Sequence, residues 1–178
     1  MVYKIDFAKK KSKSDEWYTP KSAVSHILSY LKPNSKILSP FDTKDSNFIK
    51  ILNDAGHKVV YTHIKYGYDF FDLTKKQVAE YDYIISNPPY SKRNEILIKL
   101  YELEKPFAML MNTNGLFDSS IRWNLFKSNN FCLIYLKGRV NYMKEYGLEE
   151  KSSPPFQSAY ITNGLSNNQI EFSENTHK

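Results

Sequence analysis

The chain has 178 residues, 41% of them hydrophobic and 15% aromatic, which is enough for a packed core in one domain and excludes general disorder. Its formal net charge of +6 is compatible with a polyanionic partner, although a generally basic soluble protein carries the same signature. No apolar run is long enough to span a bilayer and no apolar signal core follows the basic start, so a cytoplasmic protein without a membrane partner is expected. A single cysteine, Cys132, cannot form an internal disulfide, and its neighbours Phe131, Leu133 and Ile134 suggest a buried strand position. The four histidines (26, 57, 63 and 177) have no metal-ligand spacing, so no metal site is expected.

Residues 1–14 carry Lys9, Lys10, Lys11 and Lys13 and read as a flexible basic arm able to lie along phosphates. A single domain is expected over 15–173, followed by a loose tail over 174–178. Val24, Ile27, Leu28 and Leu31 have helical spacing over 21–32, with Thr19 as N-cap and Pro20 at the first helical position. Pro33-Asn34 ends that helix, and a short strand follows at 36–39. Phe48, Ile51, Leu52 and Ala55 mark a second helix closed by Gly56 as its C-cap. A second strand occupies 58–62, and Gly67 breaks the loop after it.

The alternation continues with a short helix at 75–80, a strand at 83–86, a helix at 92–103 and a strand at 106–111. A helix at 120–127 and a strand at 131–136 follow. The stretches 156–162 and 169–172 read as antiparallel neighbours joined at Asn163-Gly164. Strand and helix alternate from 36 to 136, which predicts an α/β fold with a mostly parallel sheet, covered on both faces, and an antiparallel addition at one edge. Ligands of such sheets bind beyond the carboxyl ends of the strands.

Three stretches fall at such strand ends or at a helix start: Trp17-Tyr18-Thr19-Pro20, Ser39-Pro40-Phe41 and Asn87-Pro88-Pro89-Tyr90. In the last, two prolines without amide hydrogens stop the strand and hold Asn87 and Tyr90 on a stiff backbone. With "DEWYTP" at 15–20 and "NPPYS" at 87–91, the chain resembles the amino-methylating DNA methyltransferases, chiefly the N6-adenine type. Within them it looks most like small phage-type enzymes that begin "DEWYTP". "KGRVNYM" at 137–143 and "SSPPFQSAYIT" at 152–162 match less specifically and in the same order.

The resemblance implies a single-domain, Rossmann-like class I methyltransferase fold and S-adenosylmethionine-dependent transfer to the exocyclic amino group of adenine in DNA. It implies that Asn87 and Pro88 offer carbonyls to the two amino hydrogens, that Tyr90 stacks on a base rotated out of the duplex, and that Pro88 and Pro89 keep both contacts rigid. Tyr18, Thr19, Pro20, Ser39, Pro40, Phe41 and Asp69 occupy the cofactor positions. For Asp69 a turn or helix cap is the alternative. Lys92, Arg93, Lys137 and Arg139 are candidates for nucleic-acid contacts, a solvated loop being the alternative for Lys137 and Arg139. Trp17 and Trp123 read as core or staple aromatics.

The methionine-end motif departs from the family pattern. Its leading acid is Ser39, both glycines of the Gly-x-Gly turn are missing, and Lys44 brings bulk and charge into the loop. Where an acid would bind the ribose hydroxyls after the second strand, the chain has His63 and Ile64. Alternatives therefore stay open: a non-catalytic methyltransferase-like protein that binds nucleic acid or a host protein, an enzyme acting on RNA adenine, or a cytosine N4 target. Little chain remains for a separate recognition domain, so relaxed specificity, a homodimer or a helper subunit is expected, with DNA preferred over RNA.

Overall fold

Apolar residues in strands 83–86 and 107–112 run without interruption, which requires cover on both faces of the sheet. The computed structural model describes residues 18–143 and 155–174; the basic arm, Trp17, the Ser152-Ser153-Pro154 stretch and all of the expected tail but Glu174 lie outside the described residues. Seven strands form one sheet: β1 (Lys36–Ser39), β2 (Lys58–Tyr61), β3 (Tyr83–Ser86), β4 (Phe107–Asn112), β5 (Cys132–Leu136), β6 (Ser158–Asn163) and β7 (Ile170–Ser173). Their order is β2-β1-β3-β4-β6-β5-β7. The pairings β2-β1, β1-β3 and β3-β4 are parallel, β6 runs antiparallel to both β4 and β5, and β7 is parallel to β5.

The mixed sheet, with its antiparallel pairing confined to one half, is the fold class expected from the sequence. The pairing of its last two strands is not as expected. β6 inserts between β4 and β5, and β7 pairs with the far side of β5 instead of with β6. A hairpin at Asn163-Gly164 would leave the largely buried β5 with one partner fewer. The crossing chain instead lets β5 be paired on both sides.

Side chains of successive strand residues point to opposite faces and build two apolar clusters. Ile37, Ile85, Ala108, Leu110, Ile134 and Tyr160 pack on one face with Val24, Phe48 and Leu52. Leu38, Ile84, Phe107, Met109, Leu133 and Ile161 pack on the other with Val78, Ile96, Leu97, Leu100 and Phe126. The helices that supply these residues are α1 (Lys21–Ser25), α2 (Asn47–Asp54), α3 (Lys75–Val78), α4 (Arg93–Glu102) and α5 (Ser120–Ser128). Cys132 is buried in the first cluster. Trp123 is not a core residue: α5 turns it outward and it is 57% exposed.

The first helix is shorter than its apolar spacing predicts. α1 ends at Ser25 and a single 3₁₀ turn (Leu28–Tyr30) completes the segment. His26, beyond the end of α1, is tied to the far edge of the sheet by a 2.9 Å hydrogen bond between its Nδ1 and Ser173 Oγ. The backbone then continues through bonds to the third residue back, Ile27 N–H to Val24 and Tyr30 N–H to Ile27. Thr19 is not the N-cap either: Pro20 takes that position, with extended backbone and no side-chain cap.

α2 follows the expected grammar. Ser46 Oγ accepts from Phe48 N–H at 3.2 Å, and Gly56 follows the helix at φ 88°, with its N–H bonded to Asn53 O. Gly56→Ala keeps enough space around a Cβ but forces a left-handed backbone, so a loss of about 1 kcal/mol in chemical denaturation is expected. On the sheet's first face, the fully buried Tyr160 hydroxyl donates to Ala23 O at 3.1 Å and joins β6 to α1. Tyr160→Phe removes that bond and little volume, and should lower the unfolding free energy by about 1 kcal/mol.

Candidate active site

The chain leaves β1 for α2, forms β2 on one side of β1, and then returns to form β3 on the other side. The crevice at the carboxyl ends of β1 and β3 is therefore the switch point of the sheet. A cavity of about 620 Å³ opens there, a size that suits a nucleoside-sized ligand. Its walls come from Tyr18-Thr19, the loop after β1, the segment after β2 and the loop after β3.

Asn87, Pro88, Pro89 and Tyr90 all line the cavity. β3 is buried along its length, so its carboxyl end is held by packing on both faces. Pro89 keeps extended backbone at φ −63° and ψ 132°, and a 3₁₀ turn (Tyr90–Lys92) leads into α4. Tyr90 packs edge-on against Phe156 at 5.9 Å between ring centres, and Phe156 lies 6.1 Å from the ring of Tyr142. The buried Tyr142 hydroxyl hydrogen-bonds with Ser158 Oγ at 3.0 Å. Burial raises the Tyr142 phenol above its ordinary pKa, so it stays a neutral support.

Of the cofactor candidates, Tyr18, Thr19, Pro40, Phe41 and Asp69 line the same cavity, whereas Pro20 and Ser39 do not. Ser39 is fully buried within β1, and its Oγ has no hydrogen-bond partner among the described residues. Tyr18 is held by a two-way backbone bridge to Met143, with N···O distances of 3.1 and 2.9 Å. The bridge joins the "WYTP" and "KGRVNYM" stretches. Thr19 O accepts from Asn47 Nδ2 at 2.8 Å, which fixes it to the start of α2. Asp69 Oδ1 caps a 3₁₀ turn through Phe71 N–H at 2.9 Å, as in its alternative reading, and the residue also lines the cavity.

The missing glycines have a structural account. No residue from Pro40 to Asn47 has positive φ, so this loop runs from β1 to α2 without the backbone conformations that favour glycine. Lys44 is exposed and does not line the cavity, so the bulk and charge it brings to the loop stay outside the cavity wall; Asp42, Thr43 and Asp45 do line it. After β2, His63 and Ile64 stand at the cavity wall. His63 Nδ1 accepts from Lys65 N–H at 3.1 Å, so a neutral imidazole carries its proton on Nε2.

The four nucleic-acid candidates separate. Lys92 lies at the cavity, with its Nζ 5.2 Å from the centre of the Phe71 ring. Arg93 is half-buried and donates to the carbonyls of Asn112 and Asn114 at 2.9 and 3.3 Å, which ties the start of α4 to the end of β4. Lys137 and Arg139 line a different recess of about 240 Å³, and Lys137 also pairs with Glu174 at 3.2 Å. Among the described residues, no group of three or more His, Cys, Asp or Glu side chains could hold a metal ion, and no helix is long and apolar enough to cross a membrane.

No protein-family model and no curated protein matches the chain. Solved structures do. A protein of Agrobacterium tumefaciens described as a predicted O-methyltransferase is 8% identical, with a TM-score of 0.42 and coverage of 83% of each chain. A precorrin-6y C5,15-methyltransferase of Geobacter metallireducens is 14% identical, with a TM-score of 0.36 and coverage of 85% of this chain and 95% of that one. The strand order of the chain itself is that of a single mixed sheet, parallel from β2 to β4 and antiparallel where β6 enters between β4 and β5.

One residue at the cavity has no counterpart in the motif reading. Asp42 is 6% exposed, and its carboxylate accepts hydrogen bonds from Ser46 Oγ of α2 and Ser86 Oγ of β3. Burial raises its pKa to about 6, against the opposing pull of the two hydroxyls. The bond to Ser86 reaches the residue immediately before Asn87, so the loops after β1 and β3 are joined through one carboxylate. Sequence reading passed over Asp42 because the acid is offset by three positions from Ser39. Its only local signal was an acid four residues before the Ser46 cap.

Proposed function

We propose that the protein transfers a methyl group from S-adenosylmethionine to the N6 amino group of adenine in DNA. The observation that carries this reading is convergence. Asn87-Pro88-Pro89-Tyr90, Tyr18-Thr19, Pro40-Phe41 and Asp69 are far apart in sequence, yet they meet in one cavity at the switch point of the sheet. The cavity fits the cofactor in chemistry as well as size: Phe41 and Phe70 offer apolar faces, and Asp42 and Asp69 offer carboxylates.

S-adenosylmethionine supplies an electrophilic methyl group attached to a sulfonium that leaves as a neutral thioether. The chain's task is to present a weak nucleophile to it. The exocyclic amino nitrogen has its lone pair delocalised into the ring, so it must be oriented and its developing positive charge stabilised. Asn87 Oδ1 and the Pro88 carbonyl accept one amino hydrogen each. Tyr90, braced by Phe156 and Tyr142, stacks on the base. No charged base is needed for attack; the surplus proton leaves the cationic amino group to solvent after transfer. Lys92 at the cavity and the net charge of +6 suit a phosphate backbone.

The test is transfer of radiolabelled methyl from S-adenosylmethionine to unmethylated duplex DNA and, in parallel, to RNA, followed by nucleoside analysis. Label in N6-methyladenosine from RNA alone would move the substrate from DNA to RNA. Absence of label in either polymer, together with no cofactor binding at about millimolar concentration, would rule out the enzyme reading.

A further inference from the structure

We propose that Asp42 is the counter-ion for the cationic part of the ligand held in the cavity, and so the residue that selects a charged sulfonium or ammonium ligand over its neutral analogue. The inference rests on the proposed S-adenosylmethionine reading. Asp42 lines the cavity and is almost wholly buried. Its two hydrogen-bond partners are the neutral hydroxyls of Ser46 and Ser86, and no cation lies within ion-pair distance of it among the described residues. A buried carboxylate without a cation is costly, and proteins normally pair it or neutralise it. Because Asp42 lines the cavity, the missing cation is one that a ligand there brings.

The surroundings favour this assignment. Ser46 faces Asp42 from α2, Ser86 from β3, and the neutral phenol of Tyr160 from β6. Besides the phenols of Tyr18, Tyr68 and Tyr90, the other charged or titratable groups of the cavity are Asp45, Asp69, His63, Lys65 and Lys92. The last three belong to the segments after β2 and after β3, and none of them is bonded to Asp42. The loop after β1 thus presents acids to the cavity, and the basic side chains stand on other walls.

Calorimetric titration of the full chain and of Asp42→Asn tests the assignment with three probes. S-adenosylmethionine carries a sulfonium and an ammonium, S-adenosylhomocysteine an ammonium only, and 5′-methylthioadenosine neither. Asp42→Asn should weaken S-adenosylmethionine by about 10- to 100-fold, the scale of a charged hydrogen bond, and leave 5′-methylthioadenosine within about 2-fold. A loss shared by S-adenosylhomocysteine assigns the ammonium as Asp42's partner; a loss confined to S-adenosylmethionine assigns the sulfonium. Equal losses for all three probes, or none, overturn the proposal.

A second measurement uses the unmodified chain. Between about pH 5 and 7 an α-ammonium remains protonated, so affinity for S-adenosylmethionine should rise with pH while that for 5′-methylthioadenosine rises less. Parallel pH curves would also overturn it. If the unmodified chain binds none of the probes, the cofactor reading itself fails; if it binds them and Asp42→Asn binds them equally, only the counter-ion role fails.

Discussion

Asn87→Ala should reduce methyl transfer by about 10²- to 10³-fold, the loss typical of removing one oriented polar group from a reacting centre. Affinity for S-adenosylmethionine should stay within about 3-fold, because the role assigned to Asn87 is toward the amino group of the base and not toward the cofactor. The backbone should hold its shape: β3 remains buried and Pro88-Pro89 remain stiff when the side chain is shortened. Asn87→Asp separates acceptance from donation. Its carboxylate keeps an acceptor oxygen where the amide had one and removes the NH₂ donors. It should therefore retain much more activity than Asn87→Ala. An Asn87→Ala protein as active as the parent, or an aspartate variant as poor as the alanine one, would remove the acceptor role. Single-turnover rates and cofactor titration, run on the same preparations, make the comparison.

Asp42→Asn should raise stability at neutral pH. The Asp42 carboxyl has a folded pKa of about 6 against an ordinary value of 3.8, because burial penalises its charge. The sign follows from linkage: the folded state holds its proton more tightly than the unfolded chain. Its contribution is fully present below about pH 4 and is lost as pH rises through about 6. A shift of about two units corresponds to at most about 3 kcal/mol. Asparagine has no such titration and can still accept a serine hydroxyl proton. The stability difference between Asp42→Asn and the parent should therefore be small near pH 4 and grow in favour of the variant toward pH 7.5, by up to about 3 kcal/mol. Urea unfolding at several pH values measures it, and parallel pH profiles for the two proteins would sink the idea. A residue that destabilises its own fold from a cavity wall fits a trade of stability for ligand binding.

These two residues show what could be read before the fold was known. Asn87 was legible because the restriction is local: two prolines act on the backbone around them whatever the tertiary context. The alternation of strands and helices from Lys36 to Leu136 was legible for the same reason, since apolar periodicity and the Ser46 to Gly56 helix signals act over a few residues. Failures came where distant segments compete. The 21–32 stretch has helical spacing, but His26 is bonded to Ser173, 147 positions away, and the segment divides beside it. β7 looks locally like the partner of β6, yet β5 supplies the edge it pairs with.

By itself, the sequence determined the element order, the mixed α/β class and the rigid Asn87 to Tyr90 loop, all of which rest on short-range backbone sterics and burial periodicity. Only the tertiary structure decided which of the candidate residues share a cavity, that the loop from Pro40 to Asn47 needs no glycine, and that exposed Lys44 is not part of the cavity wall. It also decided the place of Asp42. A carboxylate becomes chemically distinctive when it is desolvated and joined to Ser46 and Ser86, and desolvation belongs to the packed fold, not to any stretch of chain.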